Sequence, residues 1–217
     1  MDKYNTQSKY CYEGTDILIN KFDLKDKKAL ENLETTLTYE RLTMLYDQPI
    51  HGAFGLKHLQ KIHKFIFQDI YPFAGELRDE QIQKGNTPFA HPMFLSNYAS
   101  DIFRQLKSDK HLKGLEYHGF VEKMSYYFAE VNMLHPFREG NGRTQREFFR
   151  VLALKNGYEL DWSNVDSESM IKASIQSVKD SNSFNEIFDN AIVNKQPDQT
   201  LINEYKSLKI KDNELEI

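Results

Sequence analysis

His135-Pro136-Phe137-Arg138-Glu139-Gly140-Asn141-Gly142-Arg143-Thr144-Gln145-Arg146 is the stretch whose reading decides the fold. Before it, Phe120, Met124, Tyr127, Val131 and Leu134 recur at helical spacing, and after it Phe148, Phe149 and Leu152 do the same, so it reads as a loop joining two helices. Pro136 stops the first helix. A glycine-rich loop that opens a helix leaves backbone N–H groups unpaired, and their dipoles favour an anion by roughly 0.3–2 kcal/mol. Gly140, Asn141 and Gly142 are the candidate cradle. Arg143 and Arg146 are neighbours on one helical face, suited to bidentate bonds with further phosphate oxygens. Glu139 offers the hard carboxylate that Mg²⁺ takes beside a polyphosphate. His135, at the loop entrance, is the candidate general base for an incoming hydroxyl.

The whole run resembles the signature of the Fic family, His-Pro-Phe-x-Asp/Glu-Gly-Asn-Gly-Arg-x-x-Arg, and every specified position is met from His135 to Arg146. The resemblance implies an all-α fold, a Fic-type helical bundle with a short β-hairpin flap. It also implies transfer of AMP from ATP to a Tyr, Thr or Ser hydroxyl of a target protein, with release of pyrophosphate. On that resemblance His135 deprotonates the target hydroxyl and Glu139 binds Mg²⁺ between the α- and β-phosphates. Gly140, Asn141 and Gly142 hold phosphate oxygens, Arg143 and Arg146 contact the outer phosphates, and Phe137 anchors the loop. Family branches that phosphorylate their targets carry lysine at the second motif glycine. Gly142 departs from that pattern, so adenylyl transfer is favoured. The motif fixes a diphosphate more firmly than a base, which leaves another nucleotide or a phosphocholine donor as the alternative.

At 217 residues the chain is long enough for one sizeable domain, and a net charge of −4 gives no basic footprint for nucleic acid. Its single cysteine, Cys11, excludes an internal disulfide framework and suits a reducing compartment. Without an apolar run of membrane-spanning length or a signal-peptide core, the expected location is the cytoplasm. Three segments are expected: an N-terminal arm over 1–26, a Fic domain over 27–194 with its catalytic loop at 135–146, and a polar tail over 195–217.

The arm carries Tyr4, Tyr10 and Tyr12 ahead of Gly14-Thr15-Asp16 and is expected to cap the core. Leu30, Leu33, Leu37 and Leu45 predict a helix over roughly 27–46, with Arg41 interrupting its apolar face. Leu56, Leu59, Ile62, Ile66 and Phe67 predict a second helix, ended by Pro72 and Gly75. Residues 76–92 follow Glu76-Leu77-Arg78 with Gly85-Asn86, a hairpin signal. In the family a flap there docks the target by strand augmentation. Lys84 and Phe89 resemble its basic and aromatic residues, and Lys84 with Gly85 is expected at the nucleotide. Further helices are predicted around Leu95–Leu106, Ile171–Val178 and Phe184–Ala191, with a solvated loop at Lys107–Lys113. Ala173 to Ser177 is expected near the adenine, because that helix closes the nucleotide side in the family. His58 and His63 lack the spacing of a helical metal site and are assigned surface or packing roles.

Fic enzymes are commonly silenced by a helix bearing Ser/Thr-x-x-x-Glu-Gly/Asn, whose Glu pairs with the second motif arginine, here Arg146. Thr36 to Glu40 and Thr200 to Glu204 are partial matches without the final Gly or Asn. The Tyr-rich arm, Gly-Thr-Asp and long helix instead resemble the toxin branch, whose inhibitor is a separate small helical antitoxin. The alternative is a self-inhibited enzyme acting through Glu40 or Glu204. With no delivery domain after residue 194, an intracellular bacterial target is expected.

Overall fold

The structure, a computed structural model, describes residues 8–85 and 87–215; Tyr4 of the arm and Asn86 of the hairpin turn lie outside them. The arm folds into a turn closed by a Cys11–Leu18 bridge and lies on the core, with the Tyr10 ring edge-on to Phe73 at 5.3 Å. Asp26 then starts α1 (Lys27–Asp47) by accepting the Ala29 N–H at 2.7 Å. Arg41, the interruption in that helix's stripe, forms a two-pronged pair with Asp69 at 2.6 and 2.9 Å and covers the Phe65 ring. Its charge therefore ties α1 to α2 (Leu56–Phe67), beyond whose end Asp69 lies.

A minimal hairpin follows, β1 (Gln83–Lys84) against β2 (Thr87–Pro88), with Lys84 opposite Thr87 and left-handed Gly85 in the turn. Next come α3 (Leu95–Ser108), α4 (Tyr117–Leu134), α5 (Asn141–Lys155), α6 (Ser167–Gln176), α7 (Asn185–Ala191) and α8 (Gln199–Leu215). The expected loop at Lys107–Lys113 is only partly a loop. Its first residues finish α3, and Leu112 is buried after left-handed Lys110 and His111.

The bundle is organised around α5, which receives α2, α4 and α8. Phe148, Phe149, Val151, Leu152 and Ala153 are all buried, so α5 has no solvent stripe over these positions. Charges on such a helix must be paired. Arg150 donates to both oxygens of Glu147, at 2.7 and 2.8 Å, and to the Leu45 carbonyl at 2.6 Å; burial nevertheless pushes the Glu147 carboxyl upward. Within the polar tail at 195–217, residues 199–215 form a helix whose Tyr205 is buried against His51. The stripe Leu201, Ile202, Tyr205 and Leu208 supplies the apolar face that packing needs.

Both α2 histidines are core residues. His58 Nε2 donates to the Ile50 carbonyl at 2.8 Å, and His63 Nδ1 accepts the Gly75 N–H at 2.8 Å. Burial pulls each down to about 4. An unfolded histidine takes its proton near pH 6.5 and these folded ones do not, so stability present above pH 6.5 is lost as pH falls towards 4, by up to about 3 kcal/mol per histidine. Denaturant melts at pH 7 and pH 5 check this. Phe148→Ala should cost about 3–5 kcal/mol in the same melts, since the cavity would open in the most enclosed helix.

Candidate active site

α4 ends at His135, which adopts the left-handed conformation (φ 42°, ψ 60°) and turns the chain before Pro136. Phe137 is 1% exposed and its ring stacks on His63 at 3.9 Å. His63 Nδ1 is occupied as an acceptor, so Nε2 carries the proton and donates to the Glu139 carbonyl at 3.0 Å. The loop is closed by Asn141, whose Oδ1 accepts the Phe137 N–H at 2.9 Å and whose Nδ2 donates to the Phe137 carbonyl at 2.7 Å. Gly140 is the N-cap of α5 at φ 77°, and a Cβ there would lie 2.1 Å from the Phe67 ring. Only glycine meets both demands.

Beside this loop lies a cavity of about 450 Å³, a size typical of small-molecule sites. The structure brings His135, Glu139, Asn141, Gly142 and Arg146 to its wall, with Lys84, Gly85 and Phe89 of the flap on the same cavity. Met170, Ile171, Ser174, Ile175 and Val178 also line it. Of the segment expected near the base, Ser174 and Ile175 therefore reach the cavity. Ala173 is buried, and Ser177 takes a bond from Asn132 Nδ2 at 3.2 Å. Ile171, Ile175 and Val178 are exposed, so the apolar stripe of this segment lines the cavity and leaves the core to other residues.

Three expected residues are placed differently. Gly140 does not line the cavity, and its N–H donates to Glu139 Oε1 at 3.0 Å. Phe89 is buried beneath the flap, its ring stacked on the His135 imidazole at 3.7 Å and 9°. Arg143 does not line the cavity. Its guanidinium turns to α1, where it pairs with the Glu34 carboxylate, donates to Thr38 Oγ1 at 3.1 Å and covers the Phe67 ring. A partly buried carboxylate within bonding reach outcompetes the open cavity for that cation. Arg146 is partly buried at the cavity, and among the described residues its guanidinium has no hydrogen bond or ion pair; burial lowers its pKa, and Arg143 adds to the effect.

His135 Nδ1 lies 3.2 Å from the Asn132 carbonyl, which can only accept, so Nδ1 bears the proton and Nε2 is left as the proton acceptor. Burial pulls the imidazole down to about 3, against the Asn132 carbonyl and Glu139, which raise it; Arg78 and Lys84 lower it further. The ring is neutral at physiological pH, as a base must be. Among the described residues no cluster of three or more His, Cys, Asp or Glu could hold a metal by itself. Glu139 is a single carboxylate on the cavity, its Oε1 held by the Gly140 N–H at 3.0 Å. That donor set fits Mg²⁺, which commonly takes one or two protein oxygens and completes its shell with phosphate and water.

The sequence did not single out His63, Asn132 or Glu34 for the site. Their signal lies in pairing across the fold, not in any local pattern. No described helix is long and apolar enough to cross a membrane.

The sequence pattern of the Fic/DOC family matches residues 53–153. Protein adenylyltransferase VbhT of Bartonella schoenbuchensis is 42% identical over 178 residues, 82% of this chain and 37% of that protein. The chain thus spans a little over a third of that relative's length. The Fic protein of Escherichia coli is 37% identical over 164 residues, covering 76% of this chain and 81% of the relative. Among solved structures, the N-terminal Fic domain of a VirB-translocated Bep effector from Bartonella quintana with bound ADP aligns at a TM-score of 0.80 and 25% identity, covering 89% of this chain and 97% of that one. BepC from Bartonella tribocorum with bound AMPPNP aligns at 0.79 and 25% identity, covering 88% and 97%. Motif, helical architecture and relatives agree, and the chain belongs to the Fic/DOC family.

Proposed function

We propose that this chain is a protein adenylyltransferase that moves AMP from ATP to a hydroxyl of a target protein. The observation that carries the reading is the convergence of His135, Glu139, Gly142 and Arg146 on one cavity opposite the flap. His135 Nε2 takes the proton of the target hydroxyl, whose oxygen forms a bond to the α-phosphorus. The bond from that phosphorus to the bridging oxygen breaks, and pyrophosphate leaves. The amides at the start of α5 receive phosphate oxygens, and Arg146 takes the outer phosphates, whose charge relieves its desolvation. A seated triphosphate also raises the His135 pKa towards the working pH, which strengthens the base once substrate is present. Glu139 would hold Mg²⁺, which supplies charge neutralisation on the phosphates. The apolar wall from Ile171 to Val178 suits a base, and Lys84 and Gly85 lie at the flap side of the cavity, where the target segment docks.

The reading extends to regulation: a toxin held by a separate small helical antitoxin, working in the cytoplasm. Glu40 and Glu204, the residues that would inhibit within the chain, are exposed and make no ion pair among the described residues. Arg146 is open to an outside carboxylate, and the buried Cys11 thiol suits a reducing compartment.

Purified protein incubated with Mg²⁺, bacterial lysate and ATP labelled at either the α- or the γ-phosphate should transfer the α label alone. His135→Ala should reduce transfer by roughly 10²–10⁴-fold. Label from the γ-phosphate would mean phosphorylation and sink the reading, and labelled UTP, GTP and CTP should compete poorly. Calorimetry with an ATP analogue should show Arg146→Ala weakening binding by about tenfold or more. Arg143→Ala should instead lower the melting midpoint, since it removes a partly buried tie to α1. Expression of the wild-type chain in bacteria should slow growth, and His135→Ala should relieve it; unimpaired growth would argue against a toxin.

A further inference from the structure

Arg78 is 2% exposed and does not line the cavity, yet its guanidinium gathers main-chain carbonyls from both sides of the site. Nε donates to the His135 carbonyl at 2.8 Å and Nη1 to the Glu80 carbonyl at 2.8 Å, while Nη2 donates to the Ala90 carbonyl and, at 3.4 Å, to that of Leu134. Its own N–H donates to the Pro136 carbonyl at 2.9 Å. Glu80 and Ala90 bracket the hairpin, and Leu134 to Pro136 is the turn into the motif loop. A planar fork of donors can reach carbonyls that diverge in this way; a point cation such as lysine cannot.

Two further contacts make the junction one body. The Ala90 N–H donates to the Met133 carbonyl at 3.1 Å, and Phe89, one residue earlier, stacks on the His135 ring. His135 itself sits in the left-handed region at φ 42°, a conformation a non-glycine residue keeps only where its surroundings impose it. Arg78 grips both the His135 and Pro136 carbonyls, so it helps to impose that conformation.

We propose that Arg78 is a positioning residue for the transfer reaction: it clamps the root of the flap to the His135 backbone, so that a target segment docked on the flap arrives in register with the base. The proposal rests on the adenylyl-transfer reading above. Arg78 does not line the cavity, and acts through His135 and the flap.

The test uses the full chain with Arg78→Lys, which keeps the charge and loses the fork, and Arg78→Met. Transfer of α-label to lysate protein should fall by about tenfold or more in both, while affinity for an ATP analogue stays within about twofold. In a Phe89→Leu background, Arg78→Lys should cost less than about threefold, because both residues act on the same junction. Hydrogen exchange gives a readout that needs no variant: in the wild type the Ala90 and His135 amides should share one level of protection, well below that of the α5 core. Arg78→Lys should release those two amides and leave α5 protected. Transfer by Arg78→Lys within about threefold of wild type would overturn the proposal, as would loss of ATP binding and α5 protection in step with activity. If the wild type transfers no label at all, the adenylyl-transfer reading fails, and the exchange data decide alone: joint release of the two amides supports the clamp, and independent exchange overturns it.

Discussion

Asn141 spends both polar ends of its side chain on the Phe137 peptide unit, and the site depends on that closure. An asparagine at a helix start ordinarily caps the first-turn amides. Here the N-cap is left-handed Gly140 with no side-chain bond, and Asn141 is turned back to tie the loop. The first amides of α5 are thereby left for a ligand, while the loop that carries Glu139 is fixed by the same residue that begins the helix. Two aromatic supports make the closure rigid: Phe67 blocks any side chain at Gly140, and His63 is stacked on Phe137 while bonded to the Glu139 carbonyl. Core packing and ligand geometry are therefore not separable here.

The buried charges around this loop divide by what they face. Arg138 meets Glu80 at 3.0 Å and Arg143 meets Glu34, each joining separate segments, while Arg150 meets Glu147 within α5 and reaches the Leu45 carbonyl of α1. Removing one partner of the most enclosed of these pairs, Arg150 and Glu147, strands the other, a loss of about 3–5 kcal/mol. Arg146 alone among these motif-region arginines has no such pair among the described residues, and it alone lines the cavity. The other arginines of this region are satisfied by carboxylates, and Arg146 is the one that faces the cavity.

What could be read from the sequence was local. The motif, the helices on either side of it and the hairpin turn are set by residues within a few positions of one another, and periodicity with glycine and proline punctuation exposes them. The clamp from Arg78 to His135, the bond from His63 to Glu139 and the pair between Glu34 and Arg143 each join residues far apart in the chain, and no spacing rule encodes them. Arg143 shows the limit of helical-face arithmetic. Its position beside Arg146 on α5 is correct, but a carboxylate on α1 decides where its side chain goes. The Ile171, Ile175 and Val178 stripe shows another: a period identifies an apolar face, not whether that face meets a core or a cavity.

That stripe has a thermodynamic consequence. Ile171 is 49% exposed, Ile175 65% and Val178 44%, so water covers an apolar wall that a purine ring would cover instead. Burial of apolar surface carries a negative heat-capacity change. Nucleotide capture by this fold therefore grows more exothermic as temperature rises, even though the phosphates provide the charge that attracts it. On the proposed reading, the apolar wall would follow the temperature law of hydrophobic burial and the polar wall at Glu139 and Arg146 that of electrostatics.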